Sequence, residues 1–335
     1  MNEKQTEKKS VLIMMAVYNG EKYLREQIES IISQDFSDWH LIIQDDASSD
    51  QTVKIAEEFC GRDERIELLH NEGRHGAYYN FHSLANICKT LPRYDYYMFA
   101  DQDDIWKADK LRVLTGFISS RERRLGSAVP MLCYADMTIV DAQGNTIYPS
   151  MNALYKIDGR TRYNVFFSHK IFGCNIILNA SLFFAVPKID VSADEIQTLS
   201  HDNLYTKFAA VLGEVYYLPR VTMLFRRHGE NTTKEQQYNV TLKRIIQRIF
   251  DLDALAEAHV NVYNQSLYAI KLLESVDLSE KQRKMLAEIK SVILRGGIPA
   301  CGFVLRHKIK WGKPVENISR SLILFTGIYR KYLVY

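Results

Sequence analysis

The sequence predicts an α/β fold, a mixed and mainly parallel sheet covered by helices, followed by a C-terminal helical extension. Three observations predict it. Val11–Val17 (VLIMMAV) is a continuous apolar run of strand length, as a strand buried on both faces requires. Strand-like and helix-like segments then alternate four times over about 110 residues, the pattern of a parallel sheet covered on both sides. Beyond a polar stretch near residues 230–238 (GENTTKEQQ) the pattern becomes helical throughout.

The elements follow in order. Glu21–Gln34 places Leu24, Ile28, Ile31 and Ile32 on one helix face. A strand at His40–Gln44 and a turn at Asp45–Asp50 precede a helix with Val53, Ala56 and Phe59 inward, then a strand at Ile66–Leu69. A helix from Tyr78 to Cys88 leads to a strand at Tyr96–Ala100 and a helix at Lys107–Ile118. After Pro130 the rhythm changes, with short strands at Met131–Tyr134, Met137–Val140, Ile176–Leu178, Val215–Leu218 and Thr222–Arg226, and a helix at Asp202–Leu212. Helices are predicted at Val240–Glu274, Ser279–Leu294 and Val315–Leu333. The division is an α/β domain over 10–232 and a basic, amphipathic helical region over 238–335.

Composition narrows the class. Of 335 residues 47% are hydrophobic and 25% charged, as in an ordinary globular protein. The formal charge of +3 is uninformative, but from Arg295 to Tyr335 eight basic residues face one acidic, a local excess of +7. The five cysteines are scattered and form no C-x-x-C pair, which fits free thiols in a reducing compartment. Met1–Ser10 has no apolar core of a signal peptide, and the longest uncharged apolar runs, Gly296–Leu305 and Ser321–Tyr329, reach about half of a membrane span. A cytoplasmic protein is expected. No nucleic-acid-binding motif accompanies the basic end, so no nucleic acid is expected as partner.

Chemistry gathers where the strands end, since open α/β sheets bind ligands beyond the carboxyl ends of their strands. Tyr18-Asn19-Gly20, Asp45-Asp46 and Asp101-Gln102-Asp103-Asp104 all lie there. Carboxylates crowded beyond an apolar strand repel one another unless a cation relieves them. Hard oxygen donors suit Mg²⁺ or Mn²⁺, whose shell is commonly completed by phosphate oxygens. The plainer alternative is an acidic loop in which Asp104 caps the next helix, with Asp46-Ala47-Ser48-Ser49-Asp50 as an ordinary turn.

Ala16-Val17-Tyr18-Asn19-Gly20, Ser33-Gln34-Asp35-Phe36-Ser37-Asp38-Trp39 and Gln44-Asp45-Asp46-Ala47-Ser48-Ser49-Asp50-Gln51-Thr52 together resemble the opening of glycosyltransferase family 2. Phe99-Ala100-Asp101-Gln102-Asp103-Asp104-Ile105-Trp106, with Asp109-Lys110-Leu111 behind it, resembles that family's Asp-x-Asp region, in the form found in bacterial rhamnosyltransferases of surface polysaccharide synthesis. Gly173-Cys174, Ser200-His201-Asp202 and Phe225-Arg226-Arg227-His228-Gly229-Glu230-Asn231 follow in the order of that subgroup. Ala47 departs from the glycine the family often has.

The resemblance implies a GT-A fold and a set of roles. Ala16, Tyr18, Asp46, Asp101, Gln102 and Asp103 would bind the nucleotide-sugar, with Tyr18 stacked on the pyrimidine and Asp46 accepting its ring N–H. Asp101, Asp103 and His228 would hold Mg²⁺ or Mn²⁺ or meet the diphosphate, His228 having a purely structural loop role as its alternative. Asp202 would be the general base of an inverting transfer, its alternative being a cap on the following helix. Cys174 and His201 are the candidates for the acceptor side, though Cys174 reads more as a packing residue than a nucleophile and His201 has a plain loop role as its alternative. The reaction implied is metal-dependent transfer of a sugar, L-rhamnose from dTDP-rhamnose, to a lipid-linked surface or capsular glycan. A UDP-hexose or UDP-N-acetylhexosamine is the alternative donor, and a catalytically silent scaffold subunit is the rival of another class. Basic residues alternating with Phe303, Leu305, Ile309, Trp311, Ile318, Leu322, Phe325, Ile328 and Tyr332 read as a surface for anionic lipid on the inner face of the membrane. A lid or a dimer interface is the alternative for that segment.

Overall fold

The computed structural model describes residues 9–158, 162–229, 252–312 and 314–334. The first half of its sheet consists of β1 (Val11–Val17), β2 (Trp39–Asp45), β3 (Ile66–His70) and β4 (Tyr96–Ala100), all parallel and ordered β3-β2-β1-β4. The crossovers are α1 (Leu24–Ile32), α2 (Thr52–Cys60) and α3 (Ala77–Cys88), each burying an apolar stripe: Leu24, Ile28 and Ile31 in α1, Ala56 and Phe59 in α2, Phe81, Leu84, Ala85 and Cys88 in α3. In register, Val17 lies opposite Asp45 and Met15 opposite Ala100. The chain therefore leaves three adjacent strands at one edge, and Tyr18, Asp46 and Asp101 emerge together there.

The second half contains β5 (Ile105–Trp106), α4 (Lys110–Leu125), β6 (Met131–Val140), β7 (Thr146–Tyr148), α5 (Met151–Tyr155), β8 (Ile176–Asn179), α6 (Ala180–Ala185), α7 (His201–Leu212) and β9 (Glu214–Arg226). The sheet continues β4-β8-β6-β9-β5, with β7 a hairpin on β6. β8 runs antiparallel to β4 and β6, and β9 runs parallel to β6. The result is the mixed, mainly parallel sheet with flanking helices that the sequence predicts.

Two details differ from the sequence reading. Met131–Val140 and Glu214–Arg226 are each one strand, where the pattern suggested two apiece. Leu218 pairs with Ala135 and Val221 with the next residue, Asp136, so Pro219 and Arg220 are looped out. Proline has no N–H for the ladder, and a bulge lets the strand continue past it. The helix after the Asp cluster starts at Lys110, with Asp109 at its cap position; Asp104 instead accepts the backbone N–H of Arg226 at 3.0 Å. Asp104 is therefore not a helix cap.

Beyond residue 252 lie α8 (Leu252–Leu273), α9 (Glu280–Arg295), α10 (Gly297–Arg306) and α11 (Pro314–Thr326), then a 3₁₀ turn, Ile328–Tyr332. The predicted boundary at 230–238 and the helix segment 240–251 lie outside the described residues. α9 opens on a capping box between Ser279 and Gln282. α11 stops at Gly327, whose φ of 66° suits glycine, so the single helix predicted to Leu333 is shorter. These helices share the core of the α/β part: the Trp311 indole donates to the Phe167 carbonyl at 2.7 Å and the Ser266 hydroxyl to that of Phe166 at 2.8 Å.

Candidate functional site

The loops at the strand ends are cross-tied before any ligand is considered. The Gln102 carboxamide accepts from the Tyr18 backbone N–H at 2.8 Å and donates to the Tyr18 carbonyl at 3.0 Å. Gly20 lies beneath it; a Cβ there would fall 2.6 Å from Gln102 Oε1, so a side chain at this position would push the carboxamide out of its clamp. With its backbone clamped, Tyr18 leaves its ring 57% exposed, available as a stacking face. Ala16, half-buried at the end of β1, lies beneath this loop.

Asp46 is buried and well supplied with donors. Oδ1 accepts from Asn71 Nδ2 at 2.6 Å and meets His75 Nδ1 at 3.0 Å, while Oδ2 accepts from the Gly76 N–H at 2.6 Å. It thereby ties the loop before α3 to the end of β2. The His75 side chain is 57% exposed, so it can yield its place to a ligand N–H. Ala47 adopts φ 64°, the left-handed turn for which glycine would be the unstrained residue.

The Asp-x-Asp segment divides its labour. Asp103 Oδ2 meets His228 Nε2 at 2.7 Å, and the His228 ring packs on Tyr23 with centroids 4.8 Å apart. Arg226 braces both from behind: Nε donates to the Asp103 carbonyl at 2.9 Å, and the guanidinium bonds Glu26 and lies over Tyr23. Asp101 turns the other way, toward Asp104 and Cys174, whose oxygen and sulfur atoms lie within 4.8 Å of one another. Burial, then the charges of Asp103 and Asp202, push the Asp101 carboxyl up to about 7; burial, with Asp103 and Asp101, pushes Asp104 well above the usual range. Lys110 lies underneath, fully buried, donating to the Cys174 carbonyl at 2.7 Å and pushed down to about 7 by burial.

Asp104 Oδ2 is buried with no hydrogen-bond partner among the described residues, and it points into this cluster of like charges. Asp101 and Asp104 offer two carboxylate oxygens there, and Asp103 with His228 offers an oxygen and a nitrogen at a separate point; hard donors of this kind suit a divalent cation. Cys174 does not fit such an ion, because burial and the two aspartates hold its thiol well above the usual range.

Asp202 reaches the same region from the other half of the sheet. It is the second residue of α7, and Ser200 occupies the cap position, so Asp202 is not the helix cap. Its Oδ2 accepts from the Gly173 N–H at 3.1 Å and faces His169 Nε2 at 3.2 Å; its Oδ1 accepts from the Asn203 N–H at 2.7 Å. Burial alone would raise this carboxyl, but His169, His201 and its hydrogen bonds outweigh burial and hold it well below the usual range. The group is a fixed, charged carboxylate. Tyr78 stands between the two halves, its phenol raised by burial and by the charges of Asp202 and Asp101.

The two residues proposed for the acceptor do not line the cleft. Cys174 is 1% exposed. His201 is buried against Phe81 and Phe99, with ring centroids 4.1 and 4.3 Å away, and both its nitrogens are out of reach of solvent. A Cβ on Gly173 would fall 2.1 Å from His201 Nε2, so the glycine closes over the ring. Burial pushes His201 down to about 4, which keeps it neutral. Sequence reasoning missed His169, Tyr78, Arg226 and Lys110. Arg226 lay inside a quoted motif, whereas His169 and Tyr78 carried no local signal.

Comparison with known proteins bears on the family and the fold. Residues 12–168 match the family model described as Glycosyl transferase family 2. The chain is 31% identical over 224 residues to the dTDP-rhamnosyl transferase RfbG of Shigella flexneri, covering 65% of this chain and 72% of that protein. It is 24% identical over 331 residues to an uncharacterized glycosyltransferase of Haemophilus influenzae, covering 96% and 97%. Over 106 residues it is 38% identical to the UDP-Glc:alpha-D-GlcNAc-diphosphoundecaprenol beta-1,3-glucosyltransferase WfgD of Escherichia coli, covering 31% of this chain and 38% of that one. In fold it is similar to S. aureus TarS 1-349 solved with UDP-GlcNAc, with a TM-score of 0.54 at 16% identity over 95% of this chain and 80% of that one.

Proposed function

The chain belongs to glycosyltransferase family 2, and from that premise we propose that it transfers L-rhamnose from dTDP-rhamnose to a lipid-linked surface glycan, with inversion at the anomeric carbon. The observation that carries the donor assignment is the similarity to RfbG over most of that protein's length. A UDP-hexose is the second reading, favoured by the similarity to WfgD over a shorter stretch.

In this reading Tyr18 offers its exposed ring to the pyrimidine, and Asp46 offers a remaining lone pair to the base N–H. Asp103 and His228, which already meet, would hold Mg²⁺ or Mn²⁺, which when bound supplies Lewis-acid stabilisation of the diphosphate charge. Asp202, charged and held by Gly173 and His169, takes the proton of the acceptor hydroxyl. The acceptor oxygen then attacks the anomeric carbon from the face opposite the diphosphate, and the departing C–O bond leaves its electron pair on dTDP. A positioned general base contributes about 10²–10⁴-fold. His169 orients that carboxylate, and Tyr78 stands beside it.

No described helix is long and apolar enough to cross a membrane. A lipid-linked acceptor nevertheless places the work at the inner face of the cell membrane, with the protein bound peripherally to anionic lipid. The test is a panel of dTDP-rhamnose, UDP-glucose and UDP-N-acetylglucosamine with purified protein and Mn²⁺, scored by release of nucleoside diphosphate. Turnover of dTDP-rhamnose above the others is the expected outcome; preference for either UDP-sugar overturns the rhamnose assignment.

A further inference from the structure

α10 and α11 turn apolar side chains in two directions. α10 buries Ala300, Phe303 and Val304, yet Ile298 and Leu305 are 75% and 79% exposed. α11 buries Ile323 and Leu324, yet Ile318 and Phe325 are 67% and 51% exposed, with Leu322 between them. The spacings 298, 301, 305 and 318, 322, 325 put each set on one outward stripe. Cys301 joins the stripes, lining one shallow groove with Ile318, Leu322 and Phe325. Contiguous exposed apolar surface of this kind marks an interaction face.

The border of this face is basic. Arg295, Lys308 and Arg330, at the helix ends, are exposed. Glu316 is the only carboxylate of the segment Arg295–Tyr335, and it is engaged by Lys170 at 3.0 Å. The full +7 does not face outward, because Arg306 pairs with Glu288 at 3.1 Å and Lys331 with Asp253 at 2.5 Å. An apolar centre with a basic border matches an anionic bilayer, where aliphatic and aromatic side chains enter the headgroup–acyl boundary and cations meet the headgroups. A second copy of the chain suits it less, since opposing two such faces would bring the basic borders together.

We propose that the α10–α11 face is the surface that seats this protein on anionic lipid, held by insertion of Ile298, Leu305, Ile318, Leu322 and Phe325. The proposal rests on the peripheral reading given under Proposed function and names its contact face. The experiment is co-sedimentation with phosphatidylglycerol–phosphatidylcholine vesicles and with pure phosphatidylcholine vesicles. It compares wild type, Leu305→Glu/Phe325→Glu and Leu305→Ser/Phe325→Ser, with dTDP-rhamnose hydrolysis measured without lipid. The expected result is wild-type binding to anionic vesicles, a loss of at least about tenfold in both variants, and unchanged hydrolysis. The serine variant separates lost insertion from added repulsion. Variants that sediment like wild type overturn the face while leaving peripheral binding intact. Wild type that binds neither vesicle overturns both, and equal binding to the two vesicles overturns the commitment to anionic lipid. A concentration-dependent dimer in light scattering that both variants abolish, without vesicle binding, assigns the face to a second copy and also overturns the proposal.

Discussion

Asp103 and Asp104 are adjacent, yet they do different things. Asp104 faces inward to the Arg226 N–H and Lys110 lies below, whereas Asp103 meets His228 at the mouth of the site. Asp103→Asn keeps the shape and can still hydrogen-bond His228, so it removes charge and little else. We predict that calorimetry with dTDP and Mn²⁺ shows a loss of affinity of about 10–100-fold in Asp103→Asn, with the thermal midpoint nearly unchanged. Equal affinity in wild type with and without Mn²⁺ contradicts the metal role. At this scale the sequence was informative where contacts are local. Tyr18, Asp46 and the Asp-x-Asp run each sit immediately after an apolar strand, so their neighbourhood is dictated by strand register. His169 and Gly173 reach Asp202 only through the fold, and the burial of His201 between two phenylalanines depends on α3 and β4 as much as on α7. No spacing rule announces such contacts.

Among the described helices, α7 is the most enclosed, with every residue from Asn203 to Val211 buried. Its length was readable from the sequence, but its depth was not, because its polar residues include Lys207. That side chain is fully buried, with its ammonium lacking a hydrogen-bond partner among the described residues and lying 5.7 Å from the centre of the Phe166 ring. Burial pushes Lys207 down to about 7. A desolvated, unpaired polar group costs about 1–3 kcal/mol, and methionine has similar length without the charge. Lys207→Met is therefore expected to raise stability by about that amount, read as a higher midpoint in urea. A lower midpoint would mean that the ammonium is stabilising where it sits. The β6–β9 pair shows the opposite kind of surprise. Its two strands looked like four because Asp136 interrupts the apolar pattern of β6 and Pro219-Arg220 that of β9, and only the pairing across the bulge reveals the continuity.

At the scale of the whole molecule, three buried histidines make the fold sensitive to mild acid. Burial pushes His82 and His201 down to about 4 and His259 to about 3, against 6.5 for an exposed ring. The unfolded chain therefore takes up protons that the folded one refuses. The contribution of these rings to stability is fully present above about pH 6.5 and is lost as the pH falls toward 4, on the order of 1 kcal/mol per histidine by pH 5.5. The raised Asp101 and Asp104 carboxyls take up protons in the folded state over the same range and oppose this loss, so the test is the rings themselves. An NMR titration should show the three histidines still neutral at about pH 5.5, and titration near 6.5 contradicts their burial. The general architecture was legible because the first half obeys simple strand–helix alternation, while the second half depends on pairings between distant strands. The proposed function depends on both halves meeting, since the residues proposed to grip the nucleotide follow β1, β2 and β4 and the proposed base comes from α7. The most direct test of that meeting is sugar transfer by Asp202→Asn, measured beside donor affinity. We predict a kcat at least about 10² below wild type with the donor dissociation constant little changed. Transfer at a near wild-type rate would contradict the account.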